Sequence, residues 1–225
     1  MKSQRHRRPR TGRILVDYLK SIFFAVFLAV LIRATLVQAY HIPSGSMENT
    51  LMEGDYVLGD KLTFGTQIPD RLPVLNYKLP SFRLPGFRSP QPGDLVIFEY
   101  PQDPSRDFIK RCIAVEGQTI EIRNKVVYVN GKPFVNPAGV KFMDRRTQTR
   151  RYSPRDNYGP YMVPPGHVFV MGDNRDNSDD SRFWGPVSLD RVKAHPLLIY
   201  FSWNSGAPLW NPFVKIRWRR LGMVQ

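Results

Sequence analysis

A single cysteine, Cys112, among 225 residues excludes an intramolecular disulfide framework and any paired-cysteine zinc or redox site. Histidine is scarce too. His6 lies in a basic tail, His41 is too close to Ser46 in sequence to suggest a triad, and His167 and His195 sit in strand-like contexts. Acids are outnumbered, 19 against 33 lysines and arginines, for a formal balance of +14. Residues 1–13 hold Lys2, Arg5, Arg7, Arg8, Arg10 and Arg13 and no acid. No internal repeat is evident. Twenty prolines and 16 glycines argue against a long-helix architecture, whereas 42% hydrophobic and 12% aromatic residues suffice for a packed core and exclude a wholly disordered chain.

One long apolar run is present, from Ile14 to Val37, and Ile22–Ile32 has no polar side chain. As a helix of about 1.5 Å rise per residue it would cross a hydrocarbon core of about 30 Å. Asp17, Lys20 and Arg33 fall toward its ends, within reach of headgroups. The basic flank predicts that residues 1–13 stay cytoplasmic and the remainder is exported. Composition leaves two readings open, an anchor or a cleaved secretory signal with Val37-Gln38-Ala39 as its site.

Residues 38–225 read as mainly β. Tyr56–Leu58, Leu95–Tyr100, Phe108–Val115, Thr119–Ile122, Val126–Val129, His167–Met171 and Leu197–Ser202 have strand patterning, and Asn124-Lys125 and Asn130-Gly131 are hairpin turns. This predicts a β body with a ribbon extension over roughly 119–167. Two stretches lack a period: an excursion over roughly 65–92, and Lys141–Pro165 with its arginine run Arg145, Arg146, Arg150, Arg151.

Three segments bear on chemistry. Ser44-Gly45-Ser46-Met47 follows the apolar run, and alone it is also an ordinary turn. A serine nucleophile needs a base. In Asp107-Phe108-Ile109-Lys110-Arg111-Cys112-Ile113-Ala114, strand alternation puts Lys110 on one face with Phe108, Cys112 and Ala114. A lysine there either reaches water or loses hydration, and desolvation lowers its pKa. An unshifted lysine is neutral in about one molecule in 2,500 at pH 7, against roughly a tenth for a pKa near 8. The third segment, Gly172 to Gly185, contains Asp173, Asp176, Asp179 and Asp180. Arg175 stands where a calcium loop needs an oxygen ligand, so a salt-bridged turn is the better reading, with Ser178 able to orient a neutral lysine.

The anchor, PSGSM, GDYVLGDKL, PGDLVIF, DFIKR and GDNRDNSDDSRFWG, in this order over most of residues 14–202, resemble the type I signal peptidase family of membrane-anchored leader peptidases. The resemblance implies a β fold on one uncleaved transmembrane helix over 14–37, an exported catalytic domain over 38–225, and no metal or cofactor. It implies Ser46 as nucleophile, Lys110 as general base, Ser178 holding the amine, and an oxyanion hole from the Ser46 N–H and the Ser44 hydroxyl. Asp173, Asp180, Arg182 and Arg111 would support the site. Ile42, Met47, Leu51, Phe108 and Ile109 would line pockets for small residues of an Ala-x-Ala pattern. Implied partners are exported preproteins and the bilayer of a bacterial inner membrane, with a monomeric chain and no nucleic acid. One departure is Asn49, where the family usually has proline, which puts the stiffness of that turn in question. The carboxy-terminal strip Trp210, Phe213, Lys215, Arg217, Trp218, Arg219, Arg220 suits a headgroup interface or an ordinary solvated last strand. Competing readings are a specialised maturation protease, such as one that trims pilin, and a non-enzymatic membrane-anchored lipid or polyanion binder.

Overall fold

The computed structural model describes residues 11–67, 83–208 and 210–224. Residues 1–10 of the basic tail and 68–82 of the first aperiodic stretch lie outside them. Helix α1 runs Thr11–Thr35. Its apolar stretch Ile14–Arg33 has a mean hydropathy of 2.2 and no part of it is buried by the protein. The helix stops two residues short of the expected end, because Val37 already belongs to strand β1 (Val37–His41). That strand pairs along its whole length with β2 (Asp55–Asp60), Gln38 opposite Gly59 and Ala39 opposite Leu58. The Val37-Gln38-Ala39 stretch therefore sits inside a sheet.

The remaining strands are β3 (Thr66–Gln67), β4 (Arg83–Leu84), β5 (Leu95–Tyr100), β6 (Asp103–Val115), β7 (Thr119–Arg123), β8 (Val126–Val129), β9 (Lys132–Pro133), β10 (Tyr158–Met162), β11 (His167–Met171), β12 (Val187–Ser188), β13 (Val192–Ser202) and β14 (Gly222–Met223). The large antiparallel sheet has the order β1-β2-β13-β5-β6-β11-β12, with β14 on β13. Strand β13 is shared: Val192 and Ala194 pair with β5, while His195–Ser202 pair with β2. A four-stranded ribbon, β10-β7-β8-β9, projects from it. The two hairpin turns are as the sequence predicts, with Asn124, Lys125, Asn130 and Gly131 all at positive φ.

Strand β10 lies in the stretch expected to be irregular. Pro160 disguised it, since proline lacks the ladder N–H, but β10 is an edge strand and its register shifts between Tyr158 and Tyr161. The first aperiodic stretch is closed at its base by the β3–β4 pair.

Three apolar clusters carry the body. One packs Val96, Phe98, Cys112, Val170 and Val192. A second, under the ribbon, packs Ile113, Ala114, Ile120, Val127 and Phe169. A third packs Ile42, Met47, Leu51, Val57, Leu95 and Ile199. Ala114 was expected on the face of Cys112, yet it packs with Ile113. The cause is a register shift against β11, where Phe169 faces Ala114 but Val170 faces Cys112, leaving Ile113 as the extra residue.

The carboxy-terminal strip is neither a strand nor uniformly exposed. It forms α3 (Pro212–Lys215) and a 3-10 turn at Trp218–Arg220. Lys215 turns inward to the Ala207 and Ser205 carbonyls, and Arg220 binds Asp55. Trp210, Phe213 and Trp218 face outward.

Candidate active site

After β1 the chain continues as a strand for one residue: the Ile42 N–H donates to the Asp55 carbonyl. It then makes a 3-10 turn over Gly45–Met47. Met47 and Leu51 anchor this turn, since both are buried and the Leu51 N–H donates to the Met47 carbonyl at 2.7 Å. Removing two such side chains from water contributes roughly 2–3 kcal/mol each. Ser46, beside buried Met47, is half-exposed. Asn49 has φ +81°, a left-handed conformation that proline's ring forbids and asparagine tolerates. Proline could not occupy this turn as it stands.

Lys110 arrives from β6, 64 residues away, and its Nζ lies 2.6 Å from Ser46 Oγ. Only 3% of Lys110 is exposed. Its Nζ also lies 5.3 Å from the centre of the Phe108 ring. Burial pulls its pKa down to about 8 against the opposing field of Asp180 and Asp179. Among the described residues it forms no ion pair. The described histidines are engaged elsewhere. His195 Nδ1 is 3.1 Å from the Leu95 carbonyl, His167 Nδ1 is 2.8 Å from the Pro165 carbonyl, and the His41 ring lies 4.8 Å from that of Tyr56.

The Gly172–Gly185 segment closes over this pair. Asp173 receives a bidentate grip from Arg111 at 2.8 and 2.7 Å and the Thr50 hydroxyl at 2.6 Å. Asp180 is held by Arg182 at 2.8 and 2.9 Å and by the Gly172 N–H. Burial would push the Asp180 carboxyl up, but the Arg182 charge and these hydrogen bonds hold it below the ordinary aspartate range. Arg175 is fully buried with its guanidinium nitrogens unpartnered. Desolvation, reinforced by the nearby Arg182 charge, lowers its pKa to about 10.

Ser178 Oγ is buried beside Asp180, whose carboxyl its hydroxyl helps to hold down, and no hydrogen bond joins it to Lys110. It packs instead against Gly172, where an added methyl would come within 2.3 Å of Ser178 Oγ and 2.5 Å of the Ser46 carbonyl oxygen. Ser44 is exposed and makes no capping bond, so its hydroxyl is available. The Ser46 N–H stands among the leading amides of the turn, which lack partners within it.

A cleft of about 390 Å³ adjoins Ser46 and Lys110. Ile42, Met47, Phe108 and Ile109 line it. Leu51 does not, because it lies fully buried beneath Met47 and Ile42 and supports them. Sequence reasoning missed Tyr40, Tyr100, Arg106 and Asp107 of the lining. Alternation along the strand, Tyr40 with Ile42 and Asp107 with Ile109, was the available signal. It also missed Asn174, whose side chain donates to the Gly45 carbonyl at 3.1 Å.

Comparison with known proteins identifies the family. The family model described as signal peptidase, peptidase S26, matches residues 15–201. A signal peptidase I of Pseudomonas fluorescens is 32% identical over 84% of this chain and 74% of its own length. One of Pseudomonas aeruginosa is 36% identical over 79% of this chain and 66% of its own. One of Aquifex aeolicus is 32% identical over 80% and 82%. A solved signal peptidase I from Enterococcus faecalis shares 28% identity over 48% of this chain and 97% of its own, with a TM-score of 0.36.

Proposed function

The chain belongs to the signal peptidase family, peptidase S26, and from that premise we propose that it removes signal peptides from exported preproteins with Ser46 as nucleophile and Lys110 as general base. Membership makes it a serine endopeptidase and sets aside the non-enzymatic polyanion binder. The observation that carries the dyad is the 2.6 Å approach of a desolvated amine to the Ser46 hydroxyl.

With the amine neutral, the Ser46 hydroxyl donates to Lys110 Nζ. As Oγ attacks the scissile carbonyl carbon, its proton passes to the amine, and negative charge collects on the carbonyl oxygen. The Ser46 N–H and the Ser44 hydroxyl receive that charge. Collapse breaks the C–N bond, and the lysine ammonium returns its proton to the departing amine. The neutral lysine then takes a proton from water as it attacks the acyl-serine, releasing the signal peptide and restoring Ser46. Substrate lies extended beside Ile42–Ser44 as an added strand, with small side chains toward Ile42, Met47, Phe108 and Ile109. Arg111, Asp173, Asp180 and Arg182 act by positioning, and Ser178 by packing the turn against Gly172.

Helix α1 anchors the domain in a bacterial inner membrane with residues 1–13 cytoplasmic, and outward-facing Trp210, Phe213 and Trp218 suit contact with headgroups. Tethering confines the search for substrate to a layer near the bilayer. The test is cleavage of a fluorogenic Ala-x-Ala peptide by the full chain in detergent. Ser46→Ala and Lys110→Ala each abolish turnover without unfolding the protein; normal turnover by either defeats the assignment.

A further inference from the structure

The Lys141–Pro165 stretch touches the nucleophile turn. Lys141 forms a parallel bridge with Asn174, and its N–H donates to the Asp173 carbonyl while its own carbonyl accepts from Arg175. Lys141 Nζ pairs with Glu48 at 2.7 Å. One amide, Asn174 Nδ2, reaches the Gly45 carbonyl at 3.1 Å and Met143 Sδ at 3.5 Å. Met143 is thereby held beside the residue that precedes Ser46.

The segment is built in place. Asp176 accepts both the Met143 and the Asp144 N–H at 2.7 Å. Lys125, from the ribbon hairpin, donates to the Asp144 carbonyl at 2.6 Å and to Asp176 at 3.0 Å. An open depression of about 580 Å³ results, lined by Met143, Asp144, Arg146, Arg155, Asp176 and Asn177. Asn177 also lines the cleft at Ser46, so the depression adjoins that cleft across one side chain.

We propose that this depression is the subsite for the first residues after the cleaved bond, and that Arg146 gives it a preference for an acidic side chain there. The proposal rests on the peptidase reading above. A peptide held at Ser46 must leave in two directions, and Ile42, Phe108 and Ile109 occupy the part of the cleft assigned to residues before the bond. Charge decides the preference. Asp176 is committed to two amides and Lys125, while Asp144 accepts from the Arg146 amide and from Arg155. The Arg155 side chain is 10% exposed and bound to Asp156. The Arg146 guanidinium is 91% exposed and has one 3.4 Å contact with Asp144. Met143, 64% exposed, supplies an apolar wall.

The test uses the full chain in neutral detergent and two peptides with one Ala-x-Ala site, carrying Glu or Lys at the second position after the bond. The wild type cuts the Glu peptide on the order of threefold more efficiently at low salt, and the preference fades as salt screens it. Arg146→Glu inverts the ratio, and Arg146→Gln brings it close to one. Because the ratio compares two substrates on one protein, partial loss of folded enzyme cancels. A ratio unchanged in both variants overturns the subsite while leaving the peptidase reading intact; failure of the wild type to cut either peptide overturns the peptidase reading itself. A gain in rate that appears only with anionic vesicles, is equal for both peptides and is lost in Arg146→Gln assigns Arg146 to lipid and also overturns the subsite.

Discussion

The backbone N–H of Asn174 donates to the carbonyl oxygen of Ser46 at 3.0 Å. Across 128 residues of chain, this bond fixes the nucleophile turn to the loop that closes over Lys110. The Asp173 N–H reaches Met47 Sδ at 3.4 Å and the Thr50 hydroxyl reaches Asp173, so the turn is held along three successive contacts. The orientation of Ser46 toward Lys110 thus depends on groups outside the reacting pair.

With Lys110 as the proposed base, its titration sets the pH dependence. Its pKa is lowered to about 8, and only the neutral amine accepts the serine proton. Activity, as kcat/KM, should fall about tenfold per unit as pH drops below about 8 and level off above it. A flat profile between pH 6 and 9 would exclude this lysine as the base.

The same burial costs stability. An unfolded lysine titrates near 10.5 and the folded one near 8, so between these values the unfolded chain binds more protons and the folded state gains stability as pH rises. At pH 7 the charged amine destabilises the fold by about 3 kcal/mol. Lys110→Met should be inactive yet more resistant to urea at pH 7, with the advantage shrinking between pH 8 and 10. Equal midpoints across that range would contradict a desolvated lysine.

Gly172→Ala places a methyl against Ser178 Oγ and the Ser46 carbonyl. The turn must shift, which should lower kcat by one to two orders of magnitude while KM changes little, since misplacement by about 1 Å costs roughly a hundredfold. Steady-state kinetics on the Ala-x-Ala peptide checks this.

At position 49 the left-handed φ predicts an ordering opposite to the family pattern. Asn49→Gly should be nearly neutral in thermal stability, and Asn49→Pro destabilising by about 1–3 kcal/mol. A stabilising proline would mean that the turn readily adopts the other conformation.

Asp173→Ala leaves the Arg111 guanidinium buried without its carboxylate. Loss of about 3–5 kcal/mol is expected, with partial recovery in the Asp173→Ala, Arg111→Met double variant. Urea unfolding of the wild type, Asp173→Ala, Arg111→Met and the double variant measures it, and a double loss equal to the sum of the two single losses would show the pair to be uncoupled.

Several features were legible in the linear chain because their causes are local. The apolar run made α1, β-branched alternation bounded β5, β8 and β11, and Asn-Lys and Asn-Gly supplied turns at positive φ. A serine in a turn and a lysine among apolar strand neighbours each kept an ordinary reading, and it was the resemblance of the three motifs in order that singled out Ser46 and Lys110. Only the folded structure decided that Ile113 is the extra residue that carries Ala114 to another face, that Leu51 supports the cleft from below, that Ser178 lies against Gly172 and Asp180, and that β10 forms through Pro160 at an edge. Each of these depends on what a distant segment places opposite the residue. Periodicity and turn chemistry reach a few residues along the chain, whereas desolvation, register and close approach arise between segments that topology brings together, such as Ser46 with Lys110 and Met47 with Asp173.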